Sequence, residues 1–402
     1  MKEIFDYIDD HIPDSRQEWK VEHLLKDIIV IVLFAALSNA DDWVETAIFA
    51  ENNEELLKKH IALKNGIPSH DTLRRVMSSV SPVQLQGLVT RWGELLSRGE
   101  GDGLKRVLNL DGKTLRGSGG RNNEALHVVS AWSKDGGVCF GQRSADGKGH
   151  EIRLIKELLD AISVKNQIVT IDAIGAQAEI AEKIVKNKGD YVLAVKENQK
   201  SLHDEIKQFF ADPRLLGACA RHRTVEKARG SIETRDYWQS ADIGWLKSDG
   251  KWSGLRSIGM TRNTILHADG RESIEERYFI SSLPSAAATT ATHPAAAHPA
   301  GANSSSANSA GANPAAAAAI PDDMKLFAGS VRGHWAIESM HWHLDVTFRE
   351  DKNRTLEKTA AENLNIMRKW ALSILKLLTL NKKYSLKKKR FALSCNLARH
   401  ID

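Results

Sequence analysis

Cysteine is scarce. Cys139, Cys219 and Cys395 are the only three in 402 residues, and an odd, scattered set of this kind excludes a disulfide framework. Zinc-type spacing is missing too: His341 and His343 stand only two apart, and no Cys/His cluster accompanies them. Long apolar runs are absent. The longest charge-free one, Ile28 to Ala40, has 13 residues, too few for a bilayer, so a buried helix is expected there. The acidic N-terminus lacks the basic-then-apolar order of a secretion signal, so a cytoplasmic protein without membrane contact is expected.

Positive charge is lacking over most of the chain. The formal net charge is +5, yet Lys352 to Asp402 holds 13 Lys and Arg against 3 Asp and Glu. The other 351 residues carry 43 basic and 48 acidic groups, and residues 1–100 alone carry 11 and 17. Such asymmetry points to a polyanionic partner near the C-terminus. Proline is rare outside one segment: five of nine lie between Pro284 and Pro321, with 17 alanines and no aromatic or charged side chain. That composition cannot offset the entropy of ordering, so a disordered linker is expected.

What is present divides the chain by hydrophobic period. Residues 1–100 have helical spacing and form an expected helical N-terminal domain. Within it, Ser69 is a natural N-cap for a short basic helix carrying Arg74 and Arg75. That helix fits either an ordinary capped turn or the second helix of a helix-turn-helix. From Arg106 short β-prone runs take over: Val107–Leu110, Leu126–Trp132 and Val138–Gln142. A helix at Glu151–Ile162, a strand at Gln167–Ala173, a helix near 177–187 and a strand at Tyr191–Val195 follow. This order predicts an α/β fold with a mixed sheet, matching an RNase H-like core. The expected divisions are the helical domain (1–100), the first part of the core (101–212), a β-rich insertion (213–283), the linker (284–321), C-terminal core helices (322–380) and a basic tail (381–402).

Functional side chains gather at strand ends in such sheets. Asp111 follows Val107–Leu110, and Asp172 ends the most hydrophobic strand. A third acid is expected on the helix of residues 322–345, where Glu338 and Asp345 are seven apart and share a face with His334 and His341. Glu338 is the choice and Asp345 the runner-up. Trp335 and Trp342, on the neighbouring face, are expected to pack against the sheet, and Glu350 and Asp351 to be solvated. Three converging carboxylates favour Mg²⁺ or Mn²⁺, with two ions suited to phosphoryl transfer. Rival motifs fail: the glycine a P-loop needs before Gly112-Lys113-Thr114 is Val107, and a zinc-protease helix after His150-Glu151 would need histidine where Leu154 stands. Lys113, Arg116 and Lys196 lie just past strand ends, where they could neutralise a phosphate. In the tail, Lys387, Lys388, Lys389 and Arg390 could clamp a DNA backbone.

Together, Leu110-Asp111-Gly112-Lys113-Thr114-Leu115-Arg116-Gly117, Thr170-Ile171-Asp172-Ala173-Ile174-Gly175-Ala176-Gln177, His334-Trp335-Ala336-Ile337-Glu338 and Leu344-Asp345-Val346-Thr347-Phe348-Arg349-Glu350-Asp351 resemble the H-repeat-associated insertion-sequence transposases. These are bacterial DDE transposases. Gly66-Ile67-Pro68-Ser69-His70-Asp71-Thr72 is similar to the family's associated helical domain. The resemblance implies an RNase H-like catalytic domain in which Asp111, Asp172 and Glu338 hold the metal ions. Its implied reaction is cleavage at element ends and strand transfer by DNA 3′-hydroxyls. Double-stranded DNA is then the partner and a homo-oligomer on DNA the assembly. Two other readings stay open: a non-catalytic DNA-binding descendant, and a nuclease without strand transfer. The chain departs from the family at Ile174 and Ala176, and has Val331, His334 and Asp345 where related enzymes carry Tyr, Arg and Lys.

Overall fold

A helix that is apolar on every side must be covered on every side. Leu25–Leu37 (α2) is such a helix, with every residue but Lys26 buried, and its need for cover organises the first part of the fold. The computed structural model describes residues 2–97, 106–228, 230–247, 249–285, 322–380 and 382–401. The linker expected over 284–321 lies, from 286 onward, outside the described residues. The chain divides into two compact units, one of residues 1–189 and 332–402, the other of residues 190–331.

In the first unit, α2 packs against Lys2–His11 (α1), Trp43–Asn52 (α3) and His70–Met77 (α5), and Glu54–Leu57 (α4) and Pro82–Ser97 (α6) join the same apolar core. Its one buried acid, Asp27, accepts hydrogen bonds from the backbone N–H groups of Leu63 (2.9 Å) and Ala62 (3.3 Å). Among the described residues no helix is long and apolar enough to cross a membrane.

Three strands follow: Val107–Leu115 (β1), Leu126–Ser133 (β2) and Val138–Asp146 (β3). Then come Glu151–Ala161 (α7), Ile168–Ile171 (β4) and Ala178–Lys186 (α8). The strands stand in the order β3-β2-β1-β4. β1 is antiparallel to β2 and parallel to β4, with Leu110 opposite Ile171. This is the mixed sheet expected of an RNase H-like core.

The second unit contains Asp190–Val195 (β5), Lys200–Ala211 (α9), Pro213–Gly217 (α10), Ala220–Ala228 (β6), Ser231–Ser240 (β7), Ser257–Leu266 (β8) and Glu272–Ser281 (β9). Its strand order is β5-β9-β8-β7-β6, antiparallel throughout. The insertion strands expected from residue 213 are thus one sheet with β5. Val192 pairs with Ser281, and Ser282 Oγ accepts the Tyr191 N–H (2.8 Å).

Asp322–Val346 (α11) begins in the second unit and continues in the first from Arg332. Lys358–Leu377 (α12), Leu386–Cys395 (α13) and Ala398–Ile401 (α14) complete the first unit. One apolar core joins the N-terminal helices to α11, α12 and the sheet residues Trp132, Val138 and Cys139. The change at residue 100 is therefore one of element type. It does not separate two cores, because α12 supplies part of the cover α2 requires. Asn363 on α12 also donates to the carbonyls of Met77 (2.7 Å) and Val80 (2.9 Å), pinning the end of α5.

Candidate active site

Parallel pairing of Leu110 with Ile171 makes Asp111 and Asp172 the next residues on neighbouring strands. Adjacent strands are about 4.8 Å apart, so the two carboxyls emerge side by side. The expected end of the first strand at Leu110 needs correcting. β1 continues to Leu115 against β2, while β4 stops at Ile171, so Asp111 sits where one strand outruns its parallel neighbour.

Gly112 is required there. A Cβ would stand 2.5 Å from His127 Nε2 and 2.7 Å from Glu151 Oε1. Glu151, the first residue of α7, lies 3.5 Å from His127, whose Nδ1 meets Thr114 Oγ1 at 3.1 Å. Sequence reading missed this His–Glu pair, which nothing in the local pattern announces.

α11 faces the sheet with a stripe at helical spacing: His334, Glu338, His341, Asp345. Three of the four meet β1 or β4 directly. His334 Nδ1 lies 3.0 Å from Thr170 Oγ1, and Thr170 donates its only hydroxyl proton to Asn109 Oδ1 (2.8 Å), so Nδ1 must be the protonated nitrogen. His341 Nδ1 is 3.5 Å from Asp111 Oδ2. Asp345 Oδ1 is 2.8 Å from Lys113 Nζ. Asn109, Asp111 and Lys113 are alternate residues on one face of β1, so the stripe runs along that face. Glu338 lies between His334 and His341 on the stripe and is exposed.

A second face of α11, about 100° round the helix from that stripe, carries Ile337, Met340, Leu344 and then Phe348, all fully buried in the core. That leaves little for the tryptophans to cover. Trp342, expected against the sheet, is 55% exposed, and Trp335 lies under the Arg332 guanidinium.

The two aspartates are treated differently by their surroundings. Burial pushes Asp111 up, but the His341 contact and the Gly112 N–H (2.8 Å) outweigh it and hold the carboxyl below its ordinary value. Asp172 is raised to about 6, by burial first and then by the negative charges of Asp111 and Glu151. Its Oδ1 is buried without a hydrogen-bond partner. An orphaned carboxylate oxygen beside a second carboxylate suits a hard divalent cation. Among the described residues, no three His, Cys, Asp or Glu side chains are already gathered around one point.

A stability prediction follows from that shift. The native protein holds the Asp172 proton up to about pH 6, against an ordinary value of 3.8. Stability therefore falls as pH rises from about 4 to about 6, and the full penalty persists above that. Asp172→Asn should raise Tm at pH 8 without metal by about 1–2 °C, the effect of roughly 1 kcal/mol once solvent screening of this partly exposed group is allowed for. The gain should vanish near pH 4 in a thermal melt series.

Several basic residues expected to meet phosphate are committed elsewhere. The Lys113 side chain is only 9% exposed and lies within 3.2 Å of Asp345, Glu350 and Asp351. Glu350, expected to be solvated, is buried between Lys113 (3.1 Å), Arg368 (3.6 Å) and the Asn365 amide, which donates to it (2.9 Å). Burial acts to raise its pKa, but the two cations and the amide hold it below the ordinary range. Gly117 permits the approach of this segment, since a Cβ there would stand 1.8 Å from the Asn353 carbonyl oxygen.

In the C-terminal region, the basic tail is two helices. Arg390 is 1% exposed and donates to the carbonyls of Ala36, Thr347 and Ala40, with Asp41 at 2.7 Å. It is a structural residue, which corrects its assignment to DNA. Lys389 is likewise engaged, donating to the carbonyls of Leu375 (2.8 Å) and Leu378 (2.6 Å) at the end of α12. Lys387 and Lys388 are exposed, as are Arg74 and Arg75 on α5 and Lys196 just after β5. The Arg116 side chain is 83% exposed beside Asp351.

The family described as Transposase DDE domain matches residues 102–374, and the one described as DDE_Tnp_1-associated matches residues 7–93. The chain belongs to the DDE transposases. Within them it stands with the H repeat-associated group. The "H repeat-associated putative transposase YhhI" of Escherichia coli K12 is 32% identical over 90% of this chain and 88% of its own length. The "Putative transposase YncI" of Escherichia coli O157:H7 is 32% identical over 94% of this chain and 88% of its own. A shorter relative, the "Inactive transposase YbfQ" of E. coli K12, is 44% identical over 66 residues, 16% of this chain and 79% of its own. Transposase DDE domains generally work with divalent metal ions, which agrees with the acid pair found here.

Proposed function

We propose that this transposase cuts DNA at the ends of its own element and joins the freed 3′ ends to target DNA, using Asp111, Asp172 and Glu338 to hold two Mg²⁺ or Mn²⁺ ions. The parallel register that sets Asp111 beside Asp172 supports this reading most. Glu338 is the third acid because Asp345, its rival on the stripe, is already the counter-ion of Lys113. When bound, such ions supply the positive charge that lowers the cost of deprotonating an attacking water or 3′-hydroxyl and of releasing the departing oxygen.

The surrounding residues prepare the site. His341 and the Gly112 N–H keep Asp111 ionised. His334, through Thr170 and Asn109, ties the helix carrying Glu338 to the strands carrying both aspartates. Exposed cations suited to the DNA backbone are Arg116, Lys196, Lys387 and Lys388, with Arg74 and Arg75 as candidates for reading element ends. The protein then acts in the cytoplasm, at the nucleoid.

The test is incubation of the purified chain with Mg²⁺ and DNA from the flanks of its own gene, with products sized on denaturing gels. Joined products are expected. Cut ends without joining would make it a nuclease lacking strand transfer, and retained DNA binding without cutting would make it a non-catalytic descendant.

A further inference from the structure

Among the described residues, nothing covers one face of the outer part of the β6–β9 sheet, and the residues of that face follow from the register. Directly opposite residues share a face, as do alternate residues along a strand. Three rows result. Reading from β6 to β9, the outermost is Lys227, Ile232, Leu266, Glu272, and the next is Val225, Thr234, Thr264, Ile274. The third is Arg223, Asp236, Arg262, Glu276, confirmed as one face by the Arg223–Asp236 and Arg262–Glu276 ion pairs at 2.7 Å each. Val225 and Ile274 are 63% and 60% exposed, and Ile232 and Leu266 are 44% exposed. Ile232 and Leu266 are directly paired, with Val225 and Ile274 diagonal to them in the next row, so exposed aliphatic side chains cluster at the centre of this face.

Charge order selects the occupant. A two-fold axis along the strands, midway between β7 and β8, lays β6 of one copy over β9 of another. Lys227 then faces Glu272, Ile232 faces Leu266, Val225 faces Ile274 and Thr234 faces Thr264. In the third row Arg223 faces Glu276, while Asp236 is only 5% exposed and is held by Arg221 and Arg223 of its own copy. In the two outer rows every charge meets its opposite and every aliphatic meets an aliphatic, the self-complementarity an isologous contact requires. We infer that this face binds the same face of a second copy of the chain, as two aligned sheets packed face to face. Three rows across four strands, with strands about 4.8 Å apart and rows about 7 Å apart, span roughly 300 Å², below the roughly 800 Å² per partner of an autonomous dimer, so association is weak in the free protein and strengthened when DNA holds two copies together. This surface is independent of the metal chemistry, and its test reads association, not cleavage.

Sedimentation of the full chain should give a dimer with element-end DNA and a concentration-dependent monomer–dimer equilibrium without it. Lys227→Glu and Glu272→Lys should each weaken dimerisation about tenfold or more, and the double variant should recover to within about threefold. In a Cys395→Ser background, Val225→Cys with Ile274→Cys should give disulfide-linked dimers. Within one copy these positions are three strands, roughly 14 Å, apart, beyond disulfide reach. Three results would overturn the inference: additive charge reversals, no cross-link on DNA at about 100 µM protein, a concentration that would reveal even weak pairing, or cross-linking by Val225→Cys alone. The last would indicate pairing through the edge strand β6 instead.

Discussion

Asp111→Asn should lower cleavage of element-end DNA by about 10³-fold or more, the scale on which one member of a catalytic unit is felt, while DNA affinity stays within about threefold, since the phosphate contacts that dominate binding lie elsewhere. The replacement is nearly isosteric. Asn retains an oxygen that can accept the Gly112 N–H, so the local turn of the chain survives. What it loses is the charge. Asp111 is held ionised against its burial by His341 and by that N–H, whereas its neighbour Asp172 is pushed toward neutrality, partly by Asp111 itself. Without Asp111 the site keeps one carboxyl that binds its proton more tightly than usual, a poor anchor for a divalent cation. The experiment pairs single-turnover cleavage with a mobility-shift titration on the same DNA. Undiminished cleavage would remove Asp111 from the site. Loss of cleavage together with binding would mean the substitution had damaged the fold.

The two aspartates could be found in the sequence for a simple reason. An acid at the end of a β-prone run has no ready solvated face to occupy, so Asp172, after Ile168-Val169-Thr170-Ile171, and Asp111, after a run broken only by Asn109, stand out without any knowledge of their partners. The helix stripe was legible from period alone, because His334, Glu338, His341 and Asp345 repeat at helical spacing. Other features depended on residues far apart in the chain. Lys113 reads as a free cation until Asp345, Glu350 and Asp351 close on it from more than 230 positions away. Glu350 follows the end of a helix, a place that ordinarily means solvent, and only the fold supplies Arg368 and Asn365. The N-terminal helices look like a separate domain because their element type is uniform. Yet the apolar surface of α2 is completed by α12, more than 300 residues later. Charge counting failed for the same reason in the C-terminal region, where a run of basic residues contains both solvated and buried members that composition cannot tell apart.

Arg390→Ala should destabilise the protein by about 3 kcal/mol or more, the cost of leaving a buried charge without its partner. The Arg390 guanidinium donates to three carbonyls, Ala36 (2.8 Å), Thr347 (2.6 Å) and Ala40 (2.9 Å), and lies 2.7 Å from Asp41. Its face also packs 4.3 Å from the centre of the Phe348 ring. Together these contacts tie α13 to the end of α2 and to the chain just beyond α11. Removal leaves those carbonyls without this donor and Asp41 with only Arg349 at its carboxylate, although the Arg368 guanidinium still reaches the Asp41 carbonyl. Arg390→Lys should recover little, because one ammonium cannot replace a planar fork that serves four acceptors. Lys387→Ala and Lys388→Ala, on the same helix but exposed, should stay within about 0.5 kcal/mol of the parent. The pattern reverses in DNA binding: the two lysine variants should each reduce the slope of log affinity against log salt by about 1, whereas Arg390→Lys, measured below its melting temperature, should leave that slope unchanged. Thermal melts together with salt titrations of DNA affinity separate these outcomes. An Arg390→Ala protein as stable as the parent but with a reduced salt slope would return this arginine to the DNA-binding surface.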